Sequence, residues 1–130
     1  MSYSLTVEEK AGYLHIRVSG ENSAVTLRAY LREVYETSAR MGVPSVLIEE
    51  DLHGPILSSV DVYRVVSEAS AETSPIILQI AYVDVNPEHA SSSVDLGVAV
   101  ARDRGVNVRS FGSLRDAEEW LAGPRQATDH

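Results

Sequence analysis

Two short segments of the sequence combine carboxylates with histidine, the residue types that bind divalent cations or transfer protons. Carboxylate oxygens and imidazole nitrogens together are suitable ligands for a divalent cation. No ligand spacing of the His-Glu-x-x-His kind occurs, so we favour a solvated acidic surface over a metal site and expect no metal. The two segments contain Glu49, Glu50, Asp51 and His53, and then Asp84, Glu88 and His89.

A pair of adjacent serines, Ser58 and Ser59, offers hydroxyls that a kinase could phosphorylate. A phosphate at the start of a helix is stabilised by free backbone N–H groups and by the helix dipole. However, Ser58 is followed three residues later by Asp61, the spacing typical of a serine that caps a helix. The same spacing follows Ser92 and Ser113, where nothing indicates a switch. We therefore favour capping for Ser58.

The net charge of −8 is concentrated in one part of the 130 residues. Residues 41–101 contain nine Asp or Glu and a single arginine, Arg64, whereas the flanking segments are balanced. Such a chain lacks the clustered basic residues that bind nucleic acids or anionic membranes. It also has no cysteine, which excludes disulfides and thiolate chemistry.

Sequence motifs of enzymes are absent, including Gly-x-Ser-x-Gly and glycine-rich phosphate loops. We therefore expect no enzymatic activity and no cofactor. The first residues lack the pattern of a signal peptide, and the longest useful apolar stretch, residues 76–83, is too short to span a bilayer. A cytoplasmic protein is the expectation.

The candidate site residues lie near the ends of predicted strands and helices, which alternate along most of the chain. Runs of apolar or alternating residues predict strands at 4–8, 13–19, 45–49, 76–83 and 106–111. Helical spacing predicts helices between Ser23 and Gly42 and at 59–71, 93–104 and 114–122. The order predicts an α/β fold in which an antiparallel hairpin leads into parallel strands, giving a mixed sheet of about five strands with about four helices. Residues 1–123 are predicted to form one domain and 124–130 a flexible tail.

Several of these segments carry a family resemblance. They are the strand at 13–20, the Val46-Leu47-Ile48 strand, the strand at 80–83, and Val108 to Phe111 followed by Ala117-Glu-Glu-Trp120-Leu121. In this order they resemble the SpoIIAA-like branch of the STAS family, the bacterial anti-sigma factor antagonists and their relatives. The resemblance implies a superhelix of βα units and a non-enzymatic regulatory role in protein–protein interaction.

The resemblance also implies a second role for the serine pair. In the antagonists, the turn after the third strand carries Asp-Ser-Ser-Gly, and a partner kinase phosphorylates the second serine. The matching stretch here is Leu57-Ser58-Ser59-Val60, which keeps both serines but neither flanking residue. The resemblance therefore leaves both serines as candidate phosphoacceptors.

Two functions remain open. One is a regulatory, protein-binding domain with an acidic face at the carboxyl ends of the parallel strands, where α/β proteins usually bind ligands. The other is a carrier of a lipid or another small apolar molecule, with a pocket between the loops at 52–57 and 85–90. A protein partner is expected, and a homodimer stays open. The expected interaction or ligand residues are Glu49, Glu50, Asp51, His53, Ile56, Asp84, Glu88 and His89.

Overall fold

The computed structural model describes residues 3–73, 76–86 and 91–123. Within them, the strands are β1 (Tyr3–Lys10), β2 (Tyr13–Glu21), β3 (Ser45–His53), β4 (Gln79–Asp84) and β5 (Val108–Ser110). The helices are α1 (Ala24–Met41), α2 (Ser59–Thr73), α3 (Ser91–Asp103) and α4 (Leu114–Ala122). The predicted tail at 124–130 lies outside the described residues.

The strands form one mixed sheet in chain order, from β1 at one edge to β5 at the other. β1 and β2 pair antiparallel, and the turn between them includes Gly12 at a φ of +89°. Glycine adopts this left-handed conformation readily because it has no Cβ. All other neighbouring strands pair parallel. The predicted α/β fold with a mixed sheet is confirmed.

The helices divide unequally between the two faces of the sheet. α1, α2 and α3 each connect neighbouring parallel strands of a sheet that grows in one direction. Since such crossovers are right-handed, all three helices must cover the same face, which we call the three-helix face. α4 follows the last strand, is not a crossover, and packs with Ala117 and Leu121 against Leu47 and Val83 on the opposite face, the α4 face.

β3 is four residues longer than the predicted strand at 45–49. Its additional residues pair with β2 as far as the Glu21–His53 register pair. The acidic run therefore lies inside the strand, whereas the sequence analysis placed it at the strand's carboxyl end, with Glu50 and Asp51 beyond the last predicted residue. A continuous apolar run stops at the first charged residue, but the alternation of buried side chains continues through Glu50 and Leu52.

The other boundaries differ by smaller amounts. β4 begins at Gln79, three residues after the predicted start, and β5 covers only the centre of the predicted strand at 106–111. The predicted caps at Ser58 and Ser113 are confirmed, because these hydroxyls accept hydrogen bonds from the third backbone N–H that follows, at 3.1 and 3.2 Å. α3 begins one residue before Ser92, which was predicted to cap it.

Candidate functional site

The centre of the site is Glu50, a carboxylate that is only 5% exposed on the three-helix face. Tyr30 of α1 and Tyr82 of β4 donate their hydroxyls to it, and the Tyr82 Oη to Glu50 Oε1 distance is 2.6 Å. An ionised carboxylate is purely an acceptor, and hydrogen bonds from two O–H donors stabilise it in that form. A helix and a neighbouring strand together therefore fix this buried carboxyl group.

The two tyrosines are held in their protonated form. Burial, and after it the negative charge of Glu50, raises the pKa of Tyr30 and the pKa of Tyr82 well above the ordinary tyrosine value. Their hydroxyls keep their protons at neutral pH and remain donors to Glu50.

Next to this cluster lies a cavity of about 150 Å³ between the three-helix face and helices α1, α2 and α3. Its lining is mostly aliphatic, and Ile56, which is 52% exposed, stands at its rim. Among the described lining residues, the charged ones are two carboxylates, Glu50 and Asp84. The aliphatic lining includes Leu27, Leu31, Ile48, Val62, Val66, Ile80 and Val98.

This position differs from that of the pocket in the sequence hypothesis. The hypothesis put the pocket between the loops at 52–57 and 85–90, whereas the cavity lies under the helices and takes only Ile56 and Leu57 from the first loop. Asp84 lies at the end of β4, where its Oδ1 accepts a hydrogen bond from the backbone N–H of Asn86 at 3.0 Å.

Glu49 and Asp51 point to the α4 face, away from the cavity. Glu49 Oε1 accepts a hydrogen bond from Arg17 Nε at 3.1 Å and lies 2.8 Å from Nε2 of His15, which is buried. Asp51 Oδ1 lies 2.9 Å from Nε2 of His53, and both of these side chains are solvent-accessible. The acidic run is thus divided between the two faces of the sheet and does not form one surface.

Two asparagines hold the segment that leads from β3 to α2. Asn22 donates its backbone N–H to the His53 carbonyl at 2.7 Å and its side-chain amide to the Pro55 carbonyl at 2.8 Å. Asn86 donates its side-chain amide to the Leu52 carbonyl at 2.7 Å. The end of β3 and the loop after it are therefore tied to residues that follow both neighbouring strands, β2 and β4.

The start of α2 forms an exposed surface of mixed character. We call Ile56, Ser58, Ser59 and Val60 the α2 start surface, since all four residues are exposed. Ser58 Oγ accepts the backbone N–H of Asp61, as a helix cap does. Ser59 is the first residue of α2.

The remaining predicted residues, Glu88 and His89, lie outside the described residues, together with most of the second loop. Within the described ranges, no three His, Asp or Glu side chains are grouped in a way that could hold a metal ion. No helix of the described part of the chain has the length and hydrophobicity needed to cross a membrane.

Several solved structures match this arrangement of strands and helices, including the following two. One is an anti-sigma factor antagonist from Mycobacterium paratuberculosis, with a TM-score of 0.56 and 17% identity over 94% of this chain and 96% of that chain. The other is an uncharacterized protein of the DUF3478 family from Shewanella loihica, described as having a SpoIIAA-like fold, with a TM-score of 0.54 and 17% identity over 92% of this chain and 93% of that chain. The chain has a SpoIIAA-like fold. No family model and no curated protein matches the sequence.

The SpoIIAA-like architecture was predicted, but the two tyrosines that bind Glu50 were not. Tyr30 is 1% exposed, whereas Leu27 and Leu31 of the same helix are partly buried and line the cavity. The available signal was chemical: Tyr30 and Tyr82 place hydroxyls within otherwise apolar patterns, and a buried hydroxyl needs a hydrogen-bond partner.

Proposed function

We propose that the chain is a non-enzymatic regulatory domain that binds a partner protein through the α2 start surface. The observation that carries this proposal is the exposure of Ile56 and Val60, 52% and 68%, on either side of the serine pair. Exposed apolar side chains next to polar groups are a common feature of protein interfaces. The name of the similarly folded anti-sigma factor antagonist, which acts against another protein, supports the same kind of role.

Fewer acidic side chains contribute to this surface than the sequence analysis expected. Glu50 is buried, whereas Glu49 and Asp51 point to the α4 face, so the acidic residue of the proposed face is Asp61, which also pairs with Arg64. Positive charge on the partner would then act mainly on the association rate and the specificity.

Of the two serines, we propose Ser59 as the phosphoacceptor, because the Ser58 hydroxyl caps the helix. A phosphate on Ser59 would stand at the first residue of α2, where the helix dipole stabilises negative charge. It would also place two negative charges beside Val60, where an apolar partner contact is proposed. Equal partner affinities of the wild type and Ser59→Asp would argue against this assignment.

A quantitative pull-down from a lysate of the source organism tests the interaction. The bait proteins are the wild type, Val60→Ser and a matched control, Leu78→Ser, which removes another exposed apolar side chain just before β4, at the opposite end of the strands. The proposal expects a protein that the wild type and the control retain and that Val60→Ser loses. Identical sets of bound proteins for all three baits would overturn it.

A further inference from the structure

β1 forms one edge of the sheet, and its outer side faces no other strand among the described residues. An edge strand presents unpaired backbone N–H and C=O groups, to which a strand of another chain can bind. Proteins usually protect such an edge with a short strand, a proline, a bulge or charged side chains. The edge at β5 is protected in the first of these ways, because that strand spans only Val108–Ser110.

β1 has little of this protection. It is eight residues long, more than the average of about five to six, and it contains no proline. Its register with β2 runs without a bulge from Tyr3 to Lys10. The charged residues Glu8, Glu9 and Lys10 are confined to one end, so the part of the strand before them is uncharged. This edge can therefore pair with a further strand over most of its length.

Two β1 strands paired antiparallel about Thr6 bring matching apolar side chains together. Directly opposite residues of an antiparallel pair point to the same face, so a twofold axis through Thr6, perpendicular to the sheet, places Leu5 of each copy opposite Val7 of the other. Leu5 and Val7 lie next to Val18 and Ile16 of β2, which belong to the core under the three-helix face. Val7 is 37% exposed in the single chain and would be covered in the pair.

Polar side chains match on the α4 face of the same pair. Ser4 of each copy stands opposite Glu8 of the other, so a hydroxyl can donate to a carboxylate. Thr6 stands opposite the same residue of the second copy, and a hydroxyl both donates and accepts. Such opposite pairs stabilise neighbouring strands, whereas like charges in these positions destabilise them.

Other centres of pairing fit the sequence of β1 less well. A pair centred on Glu8 or on Glu9 places two identical carboxylates opposite each other, which is unfavourable. A pair centred on Val7 places Leu5 opposite Glu9, so an apolar side chain meets a carboxylate. The arrangement about Thr6 avoids both conflicts and uses the strand from Tyr3 to Glu9.

We propose that β1 pairs with β1 of a second copy of this chain, antiparallel and centred on Thr6, so that two five-stranded sheets become one continuous sheet. The paired segment is short, so we expect a reversible dimer that forms with rising concentration. This assignment goes beyond the proposed partner interaction and does not depend on it, because β2 and β3 separate β1 from the strand crossover that contains α2.

Single cysteines on β1 test the register, since the chain has none of its own. Opposite Cα atoms of an antiparallel pair lie about 4.5–5.5 Å apart, within the range of a disulfide. Thr6→Cys should therefore cross-link to its own copy under mild oxidation. Glu8→Cys, the matched control, should not, because its two copies would lie about 14 Å apart. A mixture of Ser4→Cys and Glu8→Cys should cross-link, and non-reducing electrophoresis measures all three results.

Lysine substitutions at two of these exposed positions test the strength of the dimer. Thr6→Lys places two lysines opposite each other and should weaken the dimer about fivefold. Ser4→Lys changes the net charge equally but places lysine opposite Glu8 of the other copy, so the dimer should be as strong as the wild type or stronger. Sedimentation velocity between about 10 μM and 1 mM measures the dissociation constants.

Several outcomes would overturn the proposal. One is a wild type that stays monomeric at every concentration, even if its edge takes up a strand of another protein. Others are equal cross-linking of Thr6→Cys and Glu8→Cys, a dimer that Thr6→Lys leaves unchanged, and equal weakening by the two lysine variants. Circular dichroism shows whether each variant is folded. Loss of a partner by Val60→Ser, on the α2 start surface, remains a separate result.

Discussion

Glu49 and Glu50 are neighbours in the sequence, but the structure places them in opposite environments. Glu50 lies on the three-helix face, is 5% exposed, and accepts hydrogen bonds from two tyrosines beside a cavity. Glu49 lies on the α4 face, where Arg17 and His15 contact a side chain that water still reaches. The same chemical group is therefore part of a buried cluster in one case and of a surface ion pair in the other.

The difference follows from the pleat of β3 and from the handedness of the crossovers. Alternate residues of a strand point to opposite faces, so consecutive carboxylates must separate. Three helices cover one face because all three crossovers have the same hand, whereas α4 covers only part of the other. A charged side chain on the three-helix face thus becomes buried. On the α4 face, a charged side chain in the part that α4 does not cover remains accessible to solvent.

The largest expected change in the free energy of unfolding comes from replacing one of these two carboxylates and not the other. Glu50→Leu leaves the Tyr30 and Tyr82 hydroxyls without this acceptor, and we expect it to lower the free energy of unfolding by about 3 kcal/mol, since each buried donor left without a partner costs about 1–3 kcal/mol. Glu49→Leu should cost less, about 1 kcal/mol, because it leaves a single buried group, the His15 ring, without this partner, while Arg17 is exposed to water. Urea unfolding followed by circular dichroism measures both values.

The double variants Glu50→Leu with Tyr30→Phe and with Tyr82→Phe are the controls for that experiment. Removing donor and acceptor together should recover part of the loss, because no hydroxyl then remains unpaired at that position. Equal losses for Glu49→Leu and Glu50→Leu would contradict the contrast between the faces.

A second comparison concerns packing. Ala117 of α4 is fully buried against the sheet, whereas Ala101 of α3 lines the cavity. Ala117→Leu should destabilise the protein by about 2 kcal/mol because a filled core cannot accept three more carbons without strain. Ala101→Leu should cost clearly less, since its added atoms can enter the cavity. Thermal or urea unfolding checks the order, and the reverse order would mean that the cavity face is the tighter one.

Alkaline pH should lower the stability of the protein through Tyr30 and Tyr82, which lie on the three-helix face. The raised pKa values of Tyr30 and Tyr82 mean that, above pH 10, the folded protein holds protons that the unfolded chain has released. Their contribution to stability is complete below pH 10 and is lost as pH rises, by about 1.4 kcal/mol per pH unit for each tyrosine still protonated in the fold. Unfolding midpoints in urea between pH 9 and 11.5 measure the slope.

Tyrosine variants show which side chains cause this loss of stability with rising pH. Tyr82→Phe should make it shallower, and Tyr63→Phe, which changes an exposed tyrosine, serves as the control. Tyr3 adds to the slope as well, because the hydrogen bond to Glu33, followed by burial, raises its pKa to about 12. A stability that does not change over this range would contradict the tyrosine–carboxylate cluster.

Local patterns predicted most of the fold because the elements have strong local signals. The hairpin turn, the serine caps at Ser58 and Ser113, and the glycine stop at Gly42 each depend on residues within a few positions. The end of β3 was missed because its continuation depends on pairing with β2, a contact between segments more than thirty residues apart.

The site was less predictable because it depends on the face of the sheet to which each side chain points. Sequence reasoning selected Glu50 but placed it on an acidic surface with Glu49 and Asp51. The burial of Glu50 requires Tyr30 and Tyr82, which lie twenty and thirty-two residues away. A prediction that extended β3 by its alternation would have turned Glu50 inward, and the requirement for donors would then have indicated the tyrosines.

The smallest expected effect tests whether α3 leaves room at the cavity wall. A Cβ at Gly97 would meet Val62 Cγ1 at 3.7 Å and Val66 Cγ2 at 3.9 Å, which are ordinary contacts. Because glycine inside a helix is less favourable than alanine, Gly97→Ala should raise the free energy of unfolding by about 0.5–1 kcal/mol. Gly42→Ala should instead lower it by about 1 kcal/mol, since Gly42 has a φ of +70°.

Urea unfolding of these two variants separates backbone strain from packing. At Gly42 nothing lies within 4 Å of an added Cβ, so a loss there reflects the left-handed backbone alone. At Gly97 the backbone is helical and the contacts are those of the α2–α3 interface, so a loss there would show that the helices already press together over the sheet. That result would contradict the contrast between an open and a filled face of the sheet, whereas a gain leaves this contrast intact.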